Sequence, residues 1–348
     1  MMILRFFQGF FGSPILSAGG ASLSDISDVY HRPFALYTWA VFSFARPSIG
    51  SILAGYTIPH LGWRWSLWEI MIFVGPAAVL HLFLPETPAE TILYRRPIRI
   101  RHLSADSRYR TRSEIQTINI TSGDRLYQFL IMPWRINALN PSILFTSIYT
   151  GLLYAIFNSM FKFFPIVYGP VYGMSGGQTG LVLLCNIIAI VLAAVPYFTY
   201  VSLGVNAPSR AGKKLSPEDR LLPALVASVF IPAGIFLFGW TSRPDIHWIV
   251  PTIGIVFSTG SFAVILQCIF VYIGLSYPRY AASLFAGKSF AKAVVAFGGV
   301  LWAHPLYESL GLQKGMSLLG ALCAVCVSGI FVLYAFGERL RKKSRFAV

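Results

Sequence analysis

Nine stretches of roughly 20 residues, each almost free of charge, recur along this chain. A helix needs about 20 mainly apolar residues to cross a bilayer. The stretches are 3–23, 35–57, 66–84, 142–165, 178–201, 221–241, 247–270, 281–303 and 315–337. Only 12% of the 348 residues are charged and 55% are hydrophobic, against about 25% charged in an ordinary soluble domain. The fold class expected is an all-α polytopic membrane protein. The first stretch reads as a span rather than a cleaved leader, because no basic segment and small-residue cleavage site frame it.

The cations carry the orientation. Twenty Lys and Arg fall in the C-terminal tail and in alternate loops, whereas the opposite loops hold only Arg64, Arg243 and Lys314. Cytoplasmic loops retain Lys and Arg, so the tail 338–348 and the loop 85–141 are expected in the cytoplasm. This sorting also accounts for the net charge of +15 without nucleic acid as a partner. It divides the chain into a partial N-terminal transmembrane bundle (1–84), a cytoplasmic central loop (85–141), a C-terminal six-helix bundle (142–337) and a basic tail (338–348).

Five cations remain inside spans: Arg5, Arg46, Lys162, Lys288 and Lys292. Each costs about 2.5–3.5 kcal/mol or more at membrane depth, so such residues face a bundle interior or a watered cavity. Arg5 lies near a span end, where a side chain can reach the interface. Arg46 lies mid-span and cannot. The helical spacing of Tyr149, Tyr154, Phe157, Asn158 and Phe161 suggests a cavity wall that stacks on planar amphipathic cargo. Asn186 and Gln267 are uncharged polar groups inside spans, able to bind cargo or to hydrogen-bond between helices.

Other chemistries find little support. Cys185, Cys268, Cys323 and Cys326 all lie in apolar runs, and Cys323 and Cys326 lack the partners of a zinc site. No GxxxxGK[ST] signals nucleotide drive. Six scattered histidines do not form the cluster that a membrane enzyme needs. No cofactor, metal or catalytic residue is expected.

Several short motifs then occur in a familiar order. They are Arg5-Phe6-Phe7-Gln8-Gly9, Gly62-Trp63-Arg64-Trp65, Pro85-Glu86-Thr87, Arg110-Thr111-Arg112-Ser113-Glu114, Phe161-Lys162-Phe163-Phe164-Pro165, Pro217-Glu218-Asp219-Arg220-Leu221 and Tyr277-Pro278-Arg279-Tyr280. Together they resemble the major facilitator superfamily, in its fungal twelve-span drug:proton antiporter branch. The resemblance covers essentially the whole chain. It implies a partial major facilitator fold of nine spans, three from the N-terminal half and six from the C-terminal half, with residue 1 at the start of the family's fourth span. It implies proton-coupled efflux of drugs or fungal secondary metabolites, small-molecule cargo and protons as partners, a monomer and a plasma-membrane location. A truncated or degenerate transporter fragment without activity is the alternative.

The resemblance also assigns residues. Arg5 and Gln8 would serve proton coupling. Arg46, Pro47, Gly50 and Gly55 match the fifth-span antiporter motif, with Arg46 in place of a glycine and Ser51 in place of a proline. Tyr149, Tyr154, Asn158, Lys162, Asn186 and Gln267 would bind cargo. Lys162 replaces a Glu usual in the family, Leu275 an Asp, and Lys288 a small polar residue.

Single cysteines introduced between residues 95 and 112 are expected to react with an impermeant reagent only from the cytoplasmic side. Labelling from outside would overturn the whole topology.

Overall fold

The computed structural model describes residues 2–83, 89–104, 123, 131, 135, 140–213, 216–276 and 281–342. Most of the central loop, the Pro85-Glu86-Thr87, Arg110–Glu114 and Tyr277–Tyr280 motifs and the end of the basic tail lie outside them. Among the described residues every regular element is helical.

The first expected span is split. Helices α1 (Met2–Gly12) and α2 (Pro14–Ile26) meet at Ser13, because Pro14 has no N–H to continue the ladder. Helix α3 (Arg32–Leu61) ends at Gly62, whose φ of 78° is easy only for glycine. Helix α4 (Trp65–Leu82) follows and has no buried residue. Helix α5 (Ala89–Ser104) lies where a basic loop was expected. That stretch was read by its charge, yet Ala, Leu and Arg are good helix formers.

Helix α6 (Pro141–Tyr168) opens the second part. The next expected span is interrupted. Helix α7 (Gly176–Val182), with its N-terminus capped by Ser175 and Gln178, breaks before α8 (Cys185–Tyr200). At the break the backbone bonds tighten to three-residue spacing, with Leu184 N on Leu181 O at 3.0 Å and Asn186 N on Leu183 O at 3.1 Å. A π-helical turn (Val201–Asn206) prolongs α8. Helices α9 (Leu222–Thr241) and α10 (Ile249–Ser276) match two expected spans.

Helix α11 (Ala281–Lys342) runs on for 62 residues, with one left-handed break at Gly311 (φ 72°). At 1.5 Å per residue a straight helix of this length would reach about 90 Å, some three times the hydrocarbon thickness. It reverses instead. Before the break, Val295, Gly299 and Tyr307 meet Gly151, Ala155 and Phe163 in the same chain direction as α6. After it, Met316 and Gly320 meet Gly239 and Phe236 in the opposite direction to α9. The two arms are the eighth and ninth expected spans. Among the described residues six helical segments are long and apolar enough to cross a membrane, counting Leu284–Gly337 as one.

The core lies among α6, α8, α9, α10 and α11. Helix α10 is apolar all round and buried on most of its surface, as a central helix must be. Small residues let the backbones close up, because lipid supplies no hydrophobic drive between helices. At Gly254 a Cβ would stand 2.6 Å from Gly234 O and 2.8 Å from Phe238 N. At Gly298 it would meet nothing within 4 Å.

Gly254→Leu is therefore expected to destabilise the bundle by roughly 1–3 kcal/mol, read as a lower unfolding temperature in detergent. Gly298→Leu should leave that temperature unchanged. Equal effects at the two positions would refute the close α9–α10 contact.

Candidate functional site

A cavity of about 1010 Å³ opens between α3, α6, α7, α10 and the first arm of α11. Each helix presents one stripe to it. Helix α3 contributes Ser43, Arg46, Pro47, Gly50, Ser51 and Ala54, at the three- and four-residue steps that share a helix face. Helix α6 contributes Tyr154, Asn158, Phe161 and Lys162, helix α10 Gln267 and Phe270, and helix α11 Phe285, Ser289 and Lys292. The wall is mostly apolar and aromatic with a few polar groups, as in small-molecule sites generally.

Pro47 and Arg46 act together. Pro47 removes the N–H that would bond the carbonyl of Ser43 four residues earlier. Arg46 Nε donates to that oxygen at 3.2 Å. The cation that replaces a glycine of the motif thus fills a hydrogen-bond vacancy made by its neighbouring proline.

Helix α3 is docked through polar bonds along its length. Ser48, wholly buried, donates to Leu183 O at 2.8 Å, at the α7–α8 break. Asn186 Nδ2 donates to the same carbonyl at 3.2 Å, and its Oδ1 accepts from Thr259 at 2.8 Å. Tyr37 donates to Ile190 O at 2.9 Å, and Gln267 donates to Pro33 O at 3.2 Å. Near the C-terminal end of α3 the backbones touch: a Cβ on Gly55 would lie 2.5 Å from Gly176 O, and one on Gly180 2.8 Å from Ser51 O.

Of the residues expected at the site, Tyr154, Asn158, Lys162, Gln267, Arg46, Pro47, Gly50 and Gly55 border the cavity. Tyr149 does not. It packs on Phe145 and against Gly329. Nine residues separate it from Asn158, about 180° around a helix at 100° per residue, so the two point to opposite sides of α6. Asn186 is likewise absent from the wall, its amide being committed to Leu183 and Thr259. Arg5 and Gln8 lie on exposed α1 and bond each other at 3.0 Å.

The residue underrated from sequence is Lys292. Its intramembrane charge was plain, but not its place. Its Nζ lies 5.3 Å from the centre of the Tyr154 ring and 5.4 Å from that of Phe270, held by cation–π attraction. The spacing Phe285, Ser289, Lys292 on one helix face was the signal available.

The fold is a bundle of packed apolar helices with a cavity among them. By comparison with known proteins the chain belongs to the Major Facilitator Superfamily, whose family model matches residues 1–303. Members of that family are transporters, not enzymes, and the chain is a multi-pass membrane protein. It is 46% identical over 346 residues to the MFS-type transporter pyvG of Aspergillus violaceofuscus, covering 99% of this chain and 64% of that protein. It is 33% identical to the cycloheximide resistance protein of Candida maltosa, covering 100% of this chain and 65% of that protein. It is also 33% identical to the multidrug transporter FLR1 of Candida glabrata, covering 99% and 63%. The chain thus spans a little under two thirds of the length of these relatives.

Gly180→Val is expected to hold α3 and α7 apart where they cross, raising several-fold the rate at which a cysteine placed at Ile52 reacts with a water-soluble maleimide. An unchanged rate would show that the glycines do not set this approach.

Proposed function

We propose that the protein exports small amphipathic compounds by alternating access, driven by proton entry. The single observation that carries this reading is the aromatic cavity where α3 meets the C-terminal helices. Transporters of this kind rock two bundles about a site near the midplane. Tyr154, Asn158, Lys162 and Gln267 are the cargo-facing groups. Pro47, Gly50 and Gly55 form the part of α3 that bends and slides against α7. The names of the relatives, which speak of multidrug transport and cycloheximide resistance, support export of toxic compounds; the plasma membrane is the proposed site of action and a monomer the proposed working unit.

Reconstituted in proteoliposomes, the protein is expected to move a fluorescent amphipathic dye only while a proton gradient is maintained, and to stop when a protonophore collapses it. Gly55→Leu should abolish movement, because a side chain there meets the backbone of Gly176. Dye movement that ignores the gradient would refute proton coupling.

A further inference from the structure

Export leaves the chemistry of the cargo open, and the charges on the cavity wall narrow it. We propose that the cavity takes an organic anion with a planar apolar body, its acidic group held by Lys292 beside the Tyr154 and Phe270 rings. This rests on the cavity being the cargo site.

Three cations border the cavity, Arg46, Lys162 and Lys292, and its lining among the described residues includes no Asp or Glu. Arg46 has one N–H committed to Ser43 O. Lys162 is exposed and forms no hydrogen bond or ion pair among the described residues. One turn before Lys292, Lys288 is 1% exposed, and its Nζ has no hydrogen-bond partner there. Uncompensated charge at membrane depth is costly. An anionic ligand lowers that cost, and the hydrogen bonds it accepts from an ammonium are the strong, charge-assisted kind.

A cationic cargo meets the opposite situation. Aromatic faces would be its natural holders, but Tyr154 and Phe270 already face the ammonium of Lys292. Such a cargo would have to displace Lys292 and approach two further cations. Other rings, among them Trp39, Phe44, Phe157, Phe161 and Phe285, also border the cavity. They suit the flat apolar part of the ligand by offset or edge-on stacking.

The sign of the cargo also fixes the electrical character of the cycle. An anion leaving while a proton enters moves two elementary charges in the same sense. A cation exchanged for a proton moves none. Export of the anion is therefore driven by an inside-negative membrane potential.

The test uses three probes of one shape: 1-naphthoate, 1-naphthamide and 1-naphthylmethylammonium. Their binding to the full chain in detergent is measured by equilibrium dialysis. Naphthoate is expected to bind at least about tenfold more tightly than the ammonium compound. Lys292→Met should cost naphthoate about tenfold and leave naphthamide unchanged, whereas Lys292→Arg keeps most of the affinity. The comparison of probes on the unaltered chain needs no variant to fold. Absent naphthoate binding, equal or tighter binding of the ammonium compound, or naphthoate binding indifferent to Lys292→Met would overturn the proposal. Proteoliposomes separate it from the export reading. Proton-driven efflux without anion preference would leave export standing and overturn the anion site. Anion-selective binding without any efflux would uphold the site and overturn export.

Discussion

A backbone group freed inside a bilayer has no water to turn to. Two places beside the cavity show how this chain meets that constraint. At the α7–α8 break, the carbonyl of Leu183 takes donors from its own helix, from Asn186 and from Ser48 of α3. In α3, the carbonyl opened by Pro47 takes the guanidinium of Arg46. The first of these holds α3 against the C-terminal helices, and the cavity exists because α3 stands there.

The same bonds explain which polar residues are free for a ligand. Interhelical hydrogen bonds in membranes are worth only about 0.6 kcal/mol on average, so several are needed to fix a helix. Ser48, Tyr37 and Asn186 are occupied in this way. Gln267 lines the cavity and is also tied to Pro33. The lysines have no such duty, since none of them bridges helices through an ion pair among the described residues, and positive charge accumulates on the wall.

Much of the architecture was legible before folding. Apolar length marked the spans, and the expected limits 221–241 and 142–165 lie within a few residues of α9 and α6. Punctuation was harder to read. Pro14 splits the first expected span, and nothing as overt marks Leu183–Leu184, where neither residue is a helix breaker. Helix faces were harder still. Tyr149 shares composition with Tyr154 and Asn158, but not a direction, and a helix turns by 100° for each residue regardless of composition. Lys292 was visible as a charge, yet its neighbours Tyr154 and Phe270 come from α6 and α10, far away in the chain.

By itself the sequence determined the solvent. Runs of apolar residues and cations gathered mostly in alternate loops admit a bilayer and exclude an aqueous fold, since the cost of burying or exposing each residue type is a local property. Its ordered motifs pointed to the family as well. Tertiary structure alone decided which of the polar residues inside the spans serve the scaffold and which face the cavity. That division depends on distances of a few ångströms between helices remote in sequence, and hydrogen bonds and cation–π contacts vanish beyond such distances.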